Sequence, residues 1–446
     1  MSYEHSQKRI NDALRHADET EAVFLGENLL EQIPDLFGQF FSERRVIVVD
    51  DTNTFNVAGR AVDEYFRRAK GYSVEPPFLF NEGEFHADAD HLEQLRSVLA
   101  QTDAVPIAVG AGTINDLVKR AAFVCGRSYM VVATAASMDG YTSFGASIEE
   151  WGFKQTMECP APRVALLDMN VLCNAPSEMS AAGYADLLAK IPAGADWMLA
   201  DFVGTEPINP VAWHLVQDPL RDWLSEPEGI ASGKKSSILS LSEGLIISGL
   251  AMQKAKSSRA ASGAEHMLSH LWDNLHHTFQ GQVPSHGFKV GIGSIAASQL
   301  YEQVLTLSSA DFLSAKSRIP QFYLPWESVA KNVEKHFGTG QLAKQVLEQS
   351  RQKHVSPEEI ARRLDLFAFH WKELSEKIKN QLLPSAVLRQ MLRRSGAAAT
   401  SEEIGIDTNR LRLSCEQARF IRCRYNILDF VQETGNWEKM IPALVQ

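Results

Sequence analysis

VPIAVGAGTINDL, residues 105–117, places an apolar run directly before a glycine turn and a helical pattern. The run 105–109 predicts a buried strand, and the apolar spacing of 114–124 predicts a helix. Glycines at such a turn let the backbone approach a phosphate, and the helix N-terminus offers it unpaired N–H groups. The spacing G-x-G-x-x-G is incomplete, so a tight turn capped by Thr113 or Asn115 is an open alternative.

Apolar runs and helical patterns alternate on both sides of this turn. Strands are predicted at 46–49, 72–80, 129–133 and 164–167, and helices at 55–69 and 90–99. Near-continuous apolar strands separated by helices indicate a parallel sheet that is covered on both faces. The sequence therefore predicts a Rossmann-like α/β domain over residues 1–178.

After about residue 178, helical patterns dominate the sequence. They cover 180–202, 236–256, 262–278, 287–307, 326–336, 340–350, 357–378, 384–394 and 415–432. We therefore expect an all-α C-terminal domain over residues 179–446.

Composition excludes several classes of protein. With 446 residues, of which 45% are hydrophobic, the chain can bury a sizeable core in two or three domains. A net charge of -11 without a long basic run argues against nucleic acid as the main partner. The sequence has no apolar stretch long enough for a membrane span. Five scattered cysteines and an N-terminus without an apolar signal core predict a cytoplasmic protein with reduced thiols.

Polar residues follow two of the predicted strands. Asp50 and Asp51 end the strand 46–49, where a carboxylate can accept hydrogen bonds from ribose hydroxyls or can cap a helix. The segment ATAASMDG, residues 133–140, offers small hydroxyl side chains for phosphate or ribose, and its Asp139 can hold a substrate hydroxyl. A Ser/Thr-rich turn is the alternative for that segment.

One Asp and two His residues suggest a metal site. Asp186 lies in a helical stretch, His266 and His270 are four apart and so share a helix face, and His286 precedes another helix. Asp, His and His from three elements can hold a divalent ion and leave a position open for substrate. Buried histidines that only satisfy a hydrogen bond are the alternative, and His276 and His277 receive no role.

Six motifs occur in the order found in one family. They are VVDDTNTF (48–55), GAGTINDL (110–117), ATAASMDGYTS (133–143), AAGYADLLAK (181–190), SSRAASGAEHMLSH (257–270) and HGFKVGIG (286–293). Between about residues 20 and 310 the chain thus resembles the glycerol-1-phosphate dehydrogenases. That family belongs with iron-containing alcohol dehydrogenases, glycerol dehydrogenase and dehydroquinate synthase. The resemblance implies the dehydroquinate synthase-like architecture, with the active site between the two domains.

The resemblance also implies an activity and its residues. The family interconverts dihydroxyacetone phosphate and sn-glycerol 1-phosphate with NAD or NADP and a divalent metal. Asp186, His266 and His286 match the metal ligands, Asp139 and Asp186 bind substrate, and His270 is a relay candidate. Arg259 is expected at the substrate phosphate, with Lys289 as a weaker candidate. Cofactor contacts are implied at Gly110, Gly112, Thr113, Ile114, Asn115, Asp116, Thr134, Ala135, Ala136, Ser137 and Ser143, with Asp50 or Asp51 at the ribose.

The sequence departs from related families at one ligand position and leaves other activities open. Iron-type alcohol dehydrogenases place His four residues after the ligand Asp, where this chain has Lys190, so we expect zinc or nickel rather than iron. Dehydroquinate synthases carry Glu at the position of Asp186. A glycerol or polyol dehydrogenase acting on an unphosphorylated substrate and a sugar-phosphate cyclase remain the alternatives. We also expect a homo-oligomer.

Overall fold

A parallel sheet forms the first part of the protein. The computed structural model describes residues 2–81 and 85–445. Its strands are β1 (Ala22–Gly26), β2 (Arg45–Asp51), β3 (Ser73–Val74), β4 (Phe78–Phe80), β5 (Val105–Gly110), β6 (Met130–Ala133), β7 (Ala146–Glu150), β8 (Phe153–Met157) and β9 (Val164–Asp168). The sheet order is β1-β9-β6-β5-β2-β3, β4 also pairs with β2, and all these pairs are parallel. Strands β7 and β8 form a separate antiparallel hairpin.

Helices cover both faces of this sheet. They are α1 (Tyr3–Leu14), α2 (Ile33–Phe40), α3 (Thr52–Thr54), α4 (Arg60–Arg68), α5 (Ala89–Leu99), α6 (Gly112–Val124) and α7 (Met169–Leu172), with a π-helical segment at Phe55–Gly59. In β5, Ile107 and Val109 join one hydrophobic cluster with Phe37, whereas Ala108 joins another with Leu117. Burial on both sides explains why the strands read as continuous apolar runs.

The rest of the chain is helical. It contains α8 (Ser177–Leu188), α9 (Lys190–Val203), α10 (Pro210–Gln217), α11 (Leu220–Trp223), α12 (Pro227–Ala231), α13 (Lys235–Ala255), α14 (Ala264–Asn274), α15 (His286–Val304), α16 (Ser309–Ser317), α17 (Ile319–Phe322), α18 (Trp326–Phe337), α19 (Gln341–Lys353), α20 (Pro357–Gln381), α21 (Ser385–Ser395), α22 (Thr408–Ala418), α23 (Ile427–Glu433) and α24 (Trp437–Met440). Among the described residues, no helix is both long enough and apolar enough to cross a membrane.

The structure confirms the predicted fold class and corrects several elements. The region 72–80 forms two short strands, and β1 and the β7–β8 hairpin were not predicted. The predicted helix 180–202 is two helices, α8 and α9, and the predicted helix 415–432 is interrupted between α22 and α23. The predicted helix 415–432 is interrupted because Asn426 begins a new helix. Its side chain accepts a hydrogen bond from Leu428 N and forms a capping box. The domain boundary at 178 stays a prediction, with β9 ending at Asp168 and α8 beginning at Ser177.

Two glycines let helix α8 make close contacts with its neighbours. A Cβ at Gly183 would lie 2.0 Å from the carbonyl oxygen of Ala136, in the loop after β6. A Cβ at Gly287, in the first turn of α15, would lie 1.9 Å from the carbonyl oxygen of Ala182. No side chain fits at these distances, so glycine alone permits the packing. The second contact also fixes His286, the residue before Gly287, beside α8.

The change Gly287→Ala tests this packing. We expect it to reduce the free energy of unfolding by about 1–3 kcal/mol, the usual cost of forcing an extra group into a packed core. Gly340→Ala is the control, because φ at Gly340 is -73° and no atom lies within 4 Å of its Cβ position. Urea unfolding of the two variants and the parent measures the difference. Equal midpoints for both variants would show that α15 can move away from α8 at no cost.

Candidate active site

The glycine turn opens a helix at the carboxyl edge of the sheet. Strand β5 ends at Gly110, and α6 begins at Gly112. Ala111, at the N-cap, has an extended backbone and supplies no side-chain cap, so no side chain blocks the first N–H groups of α6. The end of a helix in this position can bind the pyrophosphate of a dinucleotide. A Cβ at Gly110 would lie 2.6 Å from the side chain of Ile114, so this glycine allows the tight strand-to-helix turn.

A cavity of about 510 Å³ separates this turn from the helical region. Gly112, Thr113, Asp116 and Ser143 line it from the α/β region, and His266, His270 and His286 line it from the helical region. Its volume is within the usual range for small-molecule sites. The arrangement brings the helix N-terminus and the histidines to one shared space.

Asp186, His266 and His286 come together at the cavity, where the two histidines line the wall and the carboxylate of Asp186 is buried beside them. They lie on α8, α14 and α15, and one ligand atom from each lies within 4.8 Å of the others. His266 Nε2 is 3.5 Å from Asp186 Oδ1, and the two imidazole centroids are 5.4 Å apart. One carboxylate and two imidazoles are a donor set that suits zinc and other divalent transition metals. The arrangement therefore fits a divalent metal.

A polar contact at Nδ1 fixes the ring orientation of both histidines. His266 Nδ1 is 2.8 Å from Oε1 of the buried Glu265, and His286 Nδ1 is 3.2 Å from Ser269 Oγ. In each ring the Nε2 atom is therefore left for a metal, a pattern typical of metal-binding histidines. Burial lowers the pKa of His286 to about 3, which keeps this imidazole in its neutral, metal-binding form.

The buried Lys190 links Asp186 to the loop after β6. Lys190 Nζ donates to Asp186 Oδ1 at 2.6 Å and lies 2.8 Å from Asp139 Oδ2. Ser248 also donates to Asp139 Oδ2, at 2.9 Å. Burial raises the pKa of Asp186, but the charge of Lys190 and a hydrogen bond from His266 outweigh it and bring that pKa well below its usual range. Two carboxylates, of Asp139 and Asp186, thus contact one ammonium, and Glu265 adds a third carboxylate behind His266; the excess negative charge complements a divalent cation.

Several predicted cofactor residues do not line the cavity. One of them, Asn115, helps Lys119 to hold the loop after β6 in place. Lys119 is buried, and its Nζ donates to the carbonyl oxygens of Gly140, Ser143 and Gly145, which holds the loop in place. Asn115 accepts from Tyr129 and donates to Gly140 O. The predicted contacts Gly110, Ile114, Asn115, Thr134, Ala135, Ala136 and Ser137 do not line the cavity, whereas Gly112, Thr113, Asp116, Asp139 and Ser143 do.

The two candidate ribose acids have different surroundings. Asp50 is wholly buried against Gly59, and within the described residues neither carboxylate oxygen has a hydrogen-bond partner. Burial, and then the charge of Asp51, raise the pKa of Asp50 to about 8. Asp51 is half-buried and caps α3 by accepting from Asn53 N and Thr54 N. Asp50 cannot reach a ribose from this position, so Asp51 is the remaining candidate.

The structure places Arg259 away from the cavity, contrary to the prediction of a phosphate ligand. Its guanidinium is buried, and Nη2 donates to the carbonyl oxygens of Asp196 and Tyr425, both at 2.6 Å. A sequence shows that an arginine is present but not which way it points. Lys289, the weaker candidate, forms a buried ion pair with Asp273.

Sequence reasoning missed other residues of the cavity. Lys154 and Asp273 line it together, and Arg422 lines it from the segment between α22 and α23. His276 and His277, which received no role, lie at its edge. Glu265, which contacts His266 from outside the cavity lining, directly precedes it in the sequence, and that adjacency was the one available signal. Arg422 had none, because its segment reads as the middle of a helix.

The chain is similar to known proteins along most of its length. A family model described as iron-containing alcohol dehydrogenase matches residues 24–176. A glycerol-1-phosphate dehydrogenase [NAD(P)+] of Halalkalibacterium halodurans is 33% identical over 71% of this chain and 77% of its own length. One from Geobacillus thermodenitrificans is 30% identical over 87% of each chain. The match with this second relative extends into the helical region that follows His286.

Solved structures show the same fold at lower identity. Sulfoacetaldehyde reductase from Bifidobacterium kashiwanohense, in complex with NAD+, aligns with a TM-score of 0.60 at 12% identity and covers 96% of this chain and 99% of its own. An iron-containing alcohol dehydrogenase from Corynebacterium glutamicum aligns with a TM-score of 0.58 at 15% identity and covers 94% of each chain. The fold and the matched region thus define an oxidoreductase of the iron-containing alcohol dehydrogenase class. Within that class, the chain belongs to the glycerol-1-phosphate dehydrogenase family.

The buried Asp50 predicts a pH effect on stability. Its folded-state pKa of about 8 lies above the ordinary value of 3.8, so the folded protein holds a proton that the unfolded chain releases as pH rises. The stabilisation that the protonated Asp50 gives to the folded protein is fully present below about pH 4 and is lost as the pH rises through about 8. Asp50→Asn keeps the shape without ionising, so its stability relative to the parent should increase with pH by up to about 1.4 kcal/mol per unit.

Urea unfolding at pH 5 and pH 8 measures this effect. Asp12→Asn is the control, because Asp12 is an exposed carboxylate on α1. Its stability relative to the parent should be nearly the same at the two pH values. A constant difference between Asp50→Asn and the parent would mean that Asp50 is already ionised in the folded protein.

Proposed function

We propose that the protein interconverts dihydroxyacetone phosphate and sn-glycerol 1-phosphate with NAD(H) or NADP(H) and one divalent metal. The observation that carries this proposal is the shared cavity. Its sheet side presents the N-terminus of α6, and its helical side presents His266 and His286, with the buried carboxylate of Asp186 beside them. Membership of the glycerol-1-phosphate dehydrogenase family supports the substrate and the cofactor.

A metal held by these three residues supplies Lewis acidity toward the substrate carbonyl. Zinc or nickel fits better than iron, because the fourth-ligand position holds Lys190, whose ammonium is bonded to Asp186 and Asp139 and has no lone pair to give. The protein's own contribution is to hold the cavity walls in a fixed geometry and to limit the access of water.

Asp139 is positioned to bind a hydroxyl of the substrate. It lines the cavity, and Lys190 and Ser248 both contact its Oδ2 atom. Oδ1 is then the atom that can accept a hydrogen bond from a substrate hydroxyl. The carboxylate cannot rotate away, because burying Lys190 without this partner is costly.

His270 is our candidate for moving a proton at the substrate oxygen. It lines the cavity one helical turn after His266, and the two ring centroids are 6.2 Å apart. Burial, and then the charge of Arg422, lower the pKa of His270 well below its usual value. A neutral imidazole both donates and accepts a hydrogen bond, as a proton relay requires.

Asp51 is proposed at the cofactor ribose, where it would favour NADH over NADPH.

Metal content tests the ligand assignment. His266→Ala removes one of three ligands, so we expect most of the metal and nearly all of the activity to be lost while the far-UV circular dichroism spectrum is preserved. His214→Ala is the control, since His214 is exposed on α10 outside the cavity. Elemental analysis of the purified variants measures the metal directly. A His266→Ala protein with its full metal content would exclude His266 as a ligand.

Substrate choice tests the reaction itself. We expect NADH to be oxidised with dihydroxyacetone phosphate at a kcat/KM at least about tenfold above that with dihydroxyacetone, a difference of about 1.4 kcal/mol. Faster turnover of dihydroxyacetone would identify a polyol dehydrogenase instead. Product analysis must show sn-glycerol 1-phosphate, because a cyclase would use its bound NAD without net oxidation of NADH.

A further inference from the structure

The segment between α22 and α23, residues 419–426, reaches the active-site cavity from the far end of the chain. It is not helical, and Arg422 within it lines the cavity together with Ser258, Ser262 and His270. More than 130 positions of sequence separate Arg422 from the last metal ligand, His286. The helical region beyond the metal ligands thus supplies part of the cavity wall.

Two sets of hydrogen bonds hold this segment in place. Arg424 donates to Ser262 Oγ at 2.7 Å and to Ser258 Oγ at 2.9 Å. The buried Arg259 donates to Tyr425 O at 2.6 Å. These contacts involve Arg424 and Tyr425, which follow Arg422 by two and three positions. The backbone at Arg422 is therefore fixed against the start of α14, the helix that carries His266.

Arg422 is a cation without a partner in the protein. Within residues 2–81 and 85–445, its guanidinium makes no hydrogen bond, ion pair or aromatic contact, and the side chain is partly buried. The other basic side chain that lines the cavity there, Lys154, lies 3.8 Å from the carboxylate of Asp273. A partly desolvated guanidinium without an anion is unfavourable, and it favours binding of an anionic ligand.

The surrounding charge also favours an anion. Burial, and then the charge of Arg422, lower the pKa of Arg424 to about 9, so the two guanidinium groups share one positive region. His270, one turn from a metal ligand, experiences the same charge. Arg422 thus lines the cavity close to His270, on the helical side that also carries His266 and His286.

We propose that Arg422 binds the phosphate group of the substrate, with Ser258 and Ser262 presenting hydroxyls beside it. The proposal rests on the proposed function for the identity of the substrate and takes the role that the sequence suggested for Arg259. Guanidinium binds phosphate through paired hydrogen bonds that an unphosphorylated ketone cannot form. Arg422 therefore distinguishes phosphorylated from unphosphorylated three-carbon substrates.

Kinetics of Arg422→Ala and Arg422→Lys test the proposal in the full-length, metal-loaded protein. We expect Arg422→Ala to raise the KM for dihydroxyacetone phosphate by about 30-fold or more, as loss of a buried charged hydrogen bond does. The KM for dihydroxyacetone should stay unchanged, and Arg422→Lys should recover part of the loss. Arg410→Ala is the matched control, because Arg410 is exposed on α22 and its side chain does not line the cavity.

Three outcomes would overturn the proposal. Equal losses on the phosphorylated and unphosphorylated ketones would assign Arg422 to the fold or to the metal site. A loss seen with NADPH but not with NADH would assign it to the 2′-phosphate of the cofactor. Unchanged kinetics in all arms would leave it without a role in binding.

Binding of inorganic phosphate separates this proposal from the proposed function. Titration calorimetry on the metal-loaded protein should show phosphate binding that Arg422→Ala weakens at least about tenfold and Arg410→Ala does not. This result would support an anion site at Arg422 even if dihydroxyacetone phosphate proved not to be a substrate. Phosphate binding of equal strength in the Arg422→Ala protein would refute the site whatever the reaction is.

Discussion

The buried ammonium group of Lys190 is the constraint on which the active site depends. It has no exposed surface, and it reaches Asp186 on α8 and Asp139 in the loop after β6 at once. Burial lowers the pKa of Lys190, but its two carboxylate neighbours raise it above the ordinary value. Each charge would be costly to bury alone, so the three groups keep one another in place. The loop at the edge of the sheet and helix α8 are thereby held in a fixed relation.

A second buried carboxylate fixes the helix that carries His266. Asp196, on α9, accepts from Ala264 N at 2.7 Å, Tyr301 Oη at 2.6 Å and Ile427 N at 2.8 Å. It thus binds the N-termini of α14 and α23 with one side chain. Because Lys190 begins the same helix α9, both buried charge clusters are anchored on one element. Helix α9 thus contacts the helices that carry all three candidate metal ligands, through Lys190 to Asp186 on α8 and through Asp196 to α14 and α15.

Local chemistry determines which of these features a sequence can reveal. The strand, the glycine turn and the helix at 105–124 were predictable because they are neighbours in the chain, and the structure confirms them. The candidate metal ligands Asp186, His266 and His286 were visible because each stands in a motif that the sequence shares with one family, although the three lie on different helices. Arg259 and Arg422 could not be told apart in this way. Their roles depend on burial and on contacts such as that of Arg259 with Tyr425, 166 residues away.

The contacts between Arg424 and the serines before α14 close a large loop of chain. Everything from Gly263 to Cys423 lies between the two attachment points, including the helices α16 to α22. The entropy of closing a loop grows only with the logarithm of its length, so doubling this one would cost about 0.6 kcal/mol. Closure entropy therefore sets little limit on the length of this loop. Its helices α14 and α15 carry His266 and His286, and the helices that follow bury side chains in the main core, so packing and not loop closure constrains this part of the chain.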